Sequence, residues 1–163
     1  MSELEWEQAT VIRLSKMADY GIVIVTQLVR ADGQQKSASD VAAETQIPQP
    51  TVSKIMKQLV RAGVLNSVRG VNGGYDLAKP KDRITVADVI EALDGPIALT
   101  SCMDADDESC GIEALCLARP NWQRINDAIR DALDSITIEE MSQTIPPAFM
   151  AAPADEADKV GAL

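Results

Sequence analysis

Apolar residues recur at three- and four-residue steps between Arg13 and Arg30, at Leu14, Met17, Ala18, Gly21, Ile22, Val25, Leu28 and Val29. This spacing gathers them on one side of an amphipathic helix, and Asp32-Gly33 supplies its stop. A short second helix is predicted from Asp40 to about Gln46, after the cap oxygens of the Ser37-Ala-Ser39-Asp40 stretch and with Val41, Ala42 and Thr45 on one side. Ile47-Pro48-Gln49 then makes a tight turn, and Pro50 suits the first position of a third helix, where its missing N–H costs nothing. That helix runs to Ala62, stops at Gly63 and has two unlike sides. Val52, Ile55, Met56, Leu59 and Val60 face inward, while Thr51, Ser53, Lys54, Lys57, Gln58 and Arg61 face outward.

Two strand-like runs, Val64–Val68 and Tyr75–Leu77, flank Arg69-Gly-Val-Asn-Gly-Gly74, whose glycines and Asn72 allow the positive φ of a hairpin turn. Thr85-Val-Ala-Asp88 has the form of a capping box and opens a helix through Leu93, which buries Val86, Val89, Ile90 and Leu93 before Asp94-Gly95-Pro96 breaks it. A loop bearing the cysteines follows. From Pro120 a longer helix carries Trp122, Ile125, Ile129, Leu133 and Ile136 on one stripe, and such a stripe needs a partner. From residue 139 the chain runs into Ala, Pro and acid with little patterned apolar surface, so residues 139–163 are expected to form a disordered tail. The expected fold class is mainly α with a small β-hairpin, a winged helix-turn-helix followed by a long C-terminal helix.

Composition narrows the chemistry. The 163 residues contain no 20-residue apolar run, so no membrane span is expected. The first seven residues include three acids where a secretory signal would be basic, and a cytoplasmic protein is the expectation. Histidine is absent, which excludes Ser-His and Cys-His nucleophilic pairs, HExxH zinc sites and two-His iron sites. With no phosphate-binding loop or nucleophile–base pair visible either, an enzyme is not expected.

The net charge of −10 conceals a division. Residues 1–83 hold 11 Lys/Arg and 9 Asp/Glu, whereas residues 84–163 hold 4 and 16. Within 45–83 the bases Lys54, Lys57, Arg61, Arg69, Lys79, Lys81 and Arg83 face only Asp76 and Asp82. A concentrated cationic surface binds phosphate by counterion release even on an acidic protein, because salt screens charges more than roughly 10 Å away. Helix, short helix, tight turn, basic helix and Gly-rich hairpin is the order of a winged helix-turn-helix, whose basic helix lies in the major groove of double-stranded DNA. Candidate contacts are Pro50, Thr51, Ser53 and Lys54 near the helix start, the last three reaching base edges, and Lys57 and Arg61 on phosphates. In the wing they are Arg69, Asn72 and Gly73, with Arg69 entering a minor groove where glycine lets the backbone approach.

The three cysteines, Cys102, Cys110 and Cys116, fall within fifteen residues. An odd number in a cytosolic chain argues against a disulfide framework. Asp104, Asp106, Asp107 and Glu108 lie between the first two and do not belong in an apolar core. Their charge disfavours bare thiolates, whereas a bound cationic metal centre would compensate. Three thiolates suit zinc if a carboxylate closes the tetrahedron, and they suit an iron-sulfur cluster equally well.

The segments Arg13-Leu-Ser-Lys-Met-Ala-Asp-Tyr-Gly21, Arg69-Gly-Val-Asn-Gly-Gly-Tyr-Asp-Leu-Ala78 and Ile84-Thr-Val-Ala-Asp-Val-Ile90, followed by a three-cysteine loop, resemble the IscR/NsrR/RirA family of winged-helix regulators across residues 11–138. The first of these, with Asn121-Trp-Gln-Arg-Ile-Asn126, looks most like the branch that regulates SUF iron-sulfur assembly genes. The resemblance implies a homodimer joined through the long C-terminal helix at Trp122, Ile125, Ile129 and Leu133. It further implies a cluster held by Cys102, Cys110 and Cys116, and cluster-dependent transcription, with repression the expected sign, from a palindromic operator. The IscR branch takes its fourth ligand from a histidine three residues after the last cysteine, where this chain has Arg119, a cation that cannot serve. In the NsrR branch an aspartate in the first helix of the other subunit serves, and the matching position here is Asp19, with a water or small thiol as the alternative fourth ligand. Such an oxygen donor leaves one corner exchangeable, as suits a sensor, and favours a 4Fe-4S over a 2Fe-2S cluster. The chain accordingly divides into a DNA-binding part (11–83), a cluster loop with dimerisation helix (84–138) and the tail. Two other readings stand beside this one: a cluster-free thiol redox switch, and an iron-sulfur scaffold or carrier with a winged-helix docking module.

Overall fold

A computed structural model describes residues 13–71, 73–103 and 116–143. Its helices are α1 (Lys16–Arg30), α2 (Ala38–Thr45), α3 (Gln49–Arg61), α4 (Val86–Asp94), α5 (Arg119–Asp134) and α6 (Ile138–Gln143), with strands β1 (Leu65–Val68) and β2 (Gly74–Leu77) between α3 and α4. This is the expected mainly helical architecture with one antiparallel hairpin.

Local chemistry sets the boundaries. Ser15 accepts the Ala18 N–H at 3.0 Å and starts α1 two residues after the first residue of the apolar pattern, which leaves Leu14 outside the helix and exposed. Ser37 and Asp40 cap each other's backbone reciprocally, so α2 begins at Ala38 rather than at Asp40: the aspartate is the third residue of the helix, reaching back to its start. Thr85 and Asp88 make the same box at α4. Between α2 and α3 the chain reverses through Gln46 in the left-handed region (φ 59°) and buries Ile47 in the turn. In the wing Leu65 pairs with Leu77 and Val68 with Gly74, while a bridge between Tyr75 and Lys36 ties the hairpin to the residue before the α2 cap.

The core lies among α1, α3, α4 and α6, with contributions from α2 and β1. Ile24, Val25, Val41, Val52, Ile55, Met56, Leu59, Leu65, Ile84, Val89 and Ile138 are sealed from solvent. Gly21 sits where α1 crosses α4, and a Cβ there would collide with Leu93. Residues 139–143, placed by the sequence pattern in a tail, instead continue α6. Ile138 is its buried anchor, and Thr137 and Glu140 cap it reciprocally, Thr137 N to Glu140 Oε2 at 2.8 Å and Glu140 N to Thr137 Oγ1 at 3.2 Å. Residues 144–163 lie outside the described residues.

Candidate nucleic-acid interface and thiol segment

The amphipathic division of α3 is realised in space. Val52, Ile55, Met56 and Leu59 are buried against the core, and Val60 packs against it half-buried. On the opposite side Pro50, Lys54, Lys57 and Arg61 are exposed, with Thr51 and Ser53 half-buried beside them. Gln58 departs from the expected outward placement. It is half-buried, and its amide oxygen is shut from solvent without a hydrogen-bond partner among the described residues. Arg69 is exposed in the wing and Gly73 half-buried; Asn72 lies outside the described residues.

The basic stretch is not uniformly available. Lys81 pairs with Glu139 of α6 at 3.2 Å and Arg83 with the neighbouring Asp82 at 3.9 Å. Lys54, Lys57, Arg61 and Arg69 have no such partner among the described residues. Of the five bases in 45–83 without an ion-pair partner among the described residues, four stand on the outward side of α3 and in the wing, the two elements that a winged helix lays on a duplex, and Lys79 just past β2 is the fifth. Behind them Lys36, Glu44 and Gln27 join the wing root, α2 and α1. Lys36 Nζ reaches both Glu44 oxygens, at 2.5 and 2.6 Å, and Gln27 Nε2 donates to Oε2 at 2.7 Å. These bonds, that from Lys36 first, hold the Glu44 carboxyl below the usual glutamate range.

The thiol segment begins with a polar anchor. Asn126 is the buried residue of α5, and its amide holds the irregular stretch after α4 by two backbone groups. Its Nδ2 donates to Ile97 O at 2.9 Å, and its Oδ1 accepts from Leu99 N at 3.0 Å. Cys102 follows in a single 3₁₀ turn, half-buried, with its sulfur 3.2 Å from the Thr100 hydroxyl. Cys116, also half-buried, stands just before α5, and its carbonyl accepts the Arg119 N–H. Cys110 and the acidic run 104–108 lie outside the described residues. Among the described residues no three Cys, Asp or Glu side chains are gathered into a metal-sized cluster. Asp19 is exposed on the first turn of α1 and has no side-chain partner among the described residues.

The helix α5 is held by polar ties rather than by its stripe. Arg130 pairs with Glu91 of α4 at 2.8 Å, Thr85 Oγ1 donates to Asp134 at 3.0 Å, and past the helix end Ile136 O accepts from Val86 N at 2.9 Å. Leu133 packs on the chain's own core, whereas Trp122 and Ile125 are exposed and Ile129 is half-buried. Ile136, expected on the same stripe, lies beyond the end of α5. Neither the Asn126 clasp nor the reciprocal cap of α6 was anticipated from sequence. The Thr137-x-x-Glu140 spacing carries a signal for the cap; a buried asparagine carries none.

A mainly helical head with a wing, a cation-bearing second helix of the turn and a projecting C-terminal helix define a winged-helix DNA-binding transcriptional regulator. Residues 14–144 match the model of the Rrf2 family, described as iron-dependent transcriptional regulators, and the chain belongs to that family. The resemblance seen in the sequence therefore holds at family level. Among its relatives, the HTH-type transcriptional regulator CymR of Bacillus subtilis (strain 168) is 29% identical over 132 residues, 80% of this chain and 90% of that protein. Its structure, titled as that of the global cysteine regulator of B. subtilis, superposes with a TM-score of 0.65 at 29% identity, over 83% of this chain and 99% of that one. The T. potens IscR structure gives 0.63 at 26% identity, over 86% and 93%, and an oxidized form of Staphylococcus aureus CymR 0.60 at 28%, over 83% and 99%. These relatives are regulators, not enzymes. Regulators of this family bind DNA and are typically dimeric. No described helix is long and apolar enough to cross a membrane.

Proposed function

We propose that this protein is a homodimeric, cytoplasmic repressor of SUF iron-sulfur assembly genes that senses cluster status through Cys102, Cys110, Cys116 and Asp19 of the partner subunit. One observation carries the reading. The segment leading into Cys102 and the carbonyl of Cys116 itself are both tied to α5, the helix whose apolar stripe leaves Trp122 and Ile125 exposed. The donor set fits such a group: three soft thiolates without histidine, and an exposed carboxylate, Asp19, without a side-chain partner among the described residues. A cluster bound there, 4Fe-4S rather than 2Fe-2S, supplies a centre that oxygen or iron shortage removes.

The chain's own residues do the rest. Asn126 fixes the 97–99 stretch to α5, so a change in how the thiol segment is held bears on the helix that joins two subunits at Trp122, Ile125 and Ile129, with Leu133 closing the core end. The spacing of two α3 helices over a palindromic operator follows from that joint. Thr51, Ser53 and Lys54 address bases with Pro50 beside them, Lys57 and Arg61 phosphates, and Arg69 a minor groove, with Asn72 and Gly73 as further wing contacts. A bound group shifts this equilibrium only by its different affinity for the two dimer geometries.

The test is anaerobic isolation with iron and sulfide assay, then mobility shift of SUF promoter DNA with and without chelation. Brown, iron- and sulfide-bearing protein whose DNA affinity changes at least about tenfold on chelation is expected. Colourless, iron-free protein with undiminished affinity overturns the reading. Cys110→Ala removes the visible absorbance if Cys110 is a ligand. Lys57→Ala weakens binding to all sequences and lowers the salt slope by about one.

The similarity to CymR, including its oxidized form, favours a second reading in which Cys102 and Cys116 act as thiols without metal in a regulator of cysteine supply. Metal content of the anaerobic protein separates the two.

A further inference from the structure

The wing leaves the core early. Leu65 is sealed, but Asn66, Ser67 and Val68 of β1 are all exposed, so past its first residue this strand stands clear of the interior. The other strand is held along its edge by the residues before α2. Lys36 N donates to Tyr75 O at 3.1 Å, and Tyr75 N donates to Lys36 O at 2.9 Å. A Cβ on Gly74 would come within 2.9 Å of the Lys36 carbonyl oxygen, so glycine is what lets the two backbones meet there. Gln35 Nε2 adds a bond to Asp76 Oδ2 at 3.2 Å. These bonds secure the wing to residues 35 and 36, which themselves lie between helices.

One side chain carries the tie on to the helices. The four residues before Lys36 are exposed, whereas its own side chain is 18% exposed and its ammonium lies on the Glu44 carboxylate of α2. Gln27 of α1 donates to the same carboxylate, so three elements close on one ion pair. From Glu44 the chain turns through the left-handed Gln46 into α3. A cation at the root of a wing can meet phosphate or brace the wing, and here an acid engages it. We infer that Lys36 and Glu44 are positioning residues for DNA recognition, whose ion pair braces the wing against the helices so that Arg69 and the α3 cations meet one duplex together. The inference rests on Arg69 of the wing touching DNA, as read above. Surfaces already held in their bound arrangement lose less on association, and a brace of this kind acts by geometry. Charge alone has the opposite sign: a phosphate-binding lysine would bind DNA better once freed from Glu44, whereas a brace without its partner binds it worse.

Full-length protein would be used to select a duplex from a randomised pool roughly 40 base pairs long, a length chosen to span two half-sites one helical turn apart with flanks, and the affinity of each variant for that duplex would be measured. Arg69→Ala is expected to weaken binding about tenfold, as for the loss of one well-placed arginine contact. Lys36→Met and Glu44→Gln are each expected to weaken it about fivefold in the native chain. In the Arg69→Ala background each should cost less than about twofold, because a brace acts only through the contact that it places. Glu44→Gln, a change of nearly the same shape at an exposed position, decides the matter should Lys36→Met fail to fold. Unchanged or higher affinity on Glu44→Gln, or an equal penalty with and without Arg69, overturns this inference while leaving the wing's contact with DNA intact. No effect of Arg69→Ala, or failure to retain any duplex, overturns both.

Discussion

The helices α3 and α5 are written in the same amphipathic pattern and end in opposite circumstances. In α3 the apolar side is closed by the chain itself, with Val52, Ile55, Met56 and Leu59 buried, and the polar side is presented outward. In α5 the buried residue is an asparagine, while Trp122 and Ile125 on the apolar stripe meet solvent. Periodicity thus states that a face wants cover without saying whose chain provides it. The helix α3 spends its apolar surface on the fold and presents its cations to solvent. The helix α5 is positioned by hydrogen bonds and an ion pair, and leaves Trp122 and Ile125 of its apolar stripe in solvent.

The sharpest way to break this contrast is to cut a large side chain from each helix. Leu59→Ala in α3 is expected to cost about 2–5 kcal/mol of unfolding free energy, read by denaturant titration, because the sealed core cannot collapse into the gap. Ile125→Glu in α5 is expected to leave the monomer's stability within about 0.5 kcal/mol while weakening self-association at least about a hundredfold, which sedimentation would show as a monomer at micromolar concentration. A loss of monomer stability comparable to Leu59→Ala would place the α5 stripe in the chain's own core after all.

Asn126→Ala tests the polar half of the contrast. It leaves Ile97 O and Leu99 N without their partners, and about 1–3 kcal/mol should be lost, together with amide-exchange protection at Leu99 ahead of that in α3. The smallest effect is expected at the wing root. The folded state holds Glu44 deprotonated more firmly than the unfolded chain does, so its contribution is complete above the ordinary glutamate range. That contribution is lost as pH falls through this range and then through the lower folded value. For so exposed a pair the span is about 0.2–1 kcal/mol, and Lys36→Ala should flatten that part of the acid titration of stability.

Much of this was readable along the chain. The stripes of α3 and α4 fell where the apolar spacing put them, and that of α1 did so except that Leu14 lies outside the helix and the sealed Ile24 was not on the expected side, because each is long enough for a 3.6-residue period to show and each meets the one core. The hairpin was marked by glycines that its turn requires. Two things were hidden for physical reasons. The helix α6 is only six residues long with one sealed anchor, Ile138, too short for any period, and only the Thr137–Glu140 spacing betrays it. The role of Asn126 depends on two backbone groups 27 and 29 positions away, and no local pattern encodes a partner at that separation. Lys81, counted with the bases, is matched by Glu139 for the same reason.

The return of the chain through α6 has a practical consequence for anyone wishing to work with the DNA-reading half alone. The hydrophobic interior beneath α1 is completed by Ile84, Val86, Val89 and Ile90 and finally by Ile138. A fragment ending at Arg83 would open that interior to water along one side, and even one ending at Ser135 would lack its last plug. Any trimmed version intended to keep its shape has to run to Gln143.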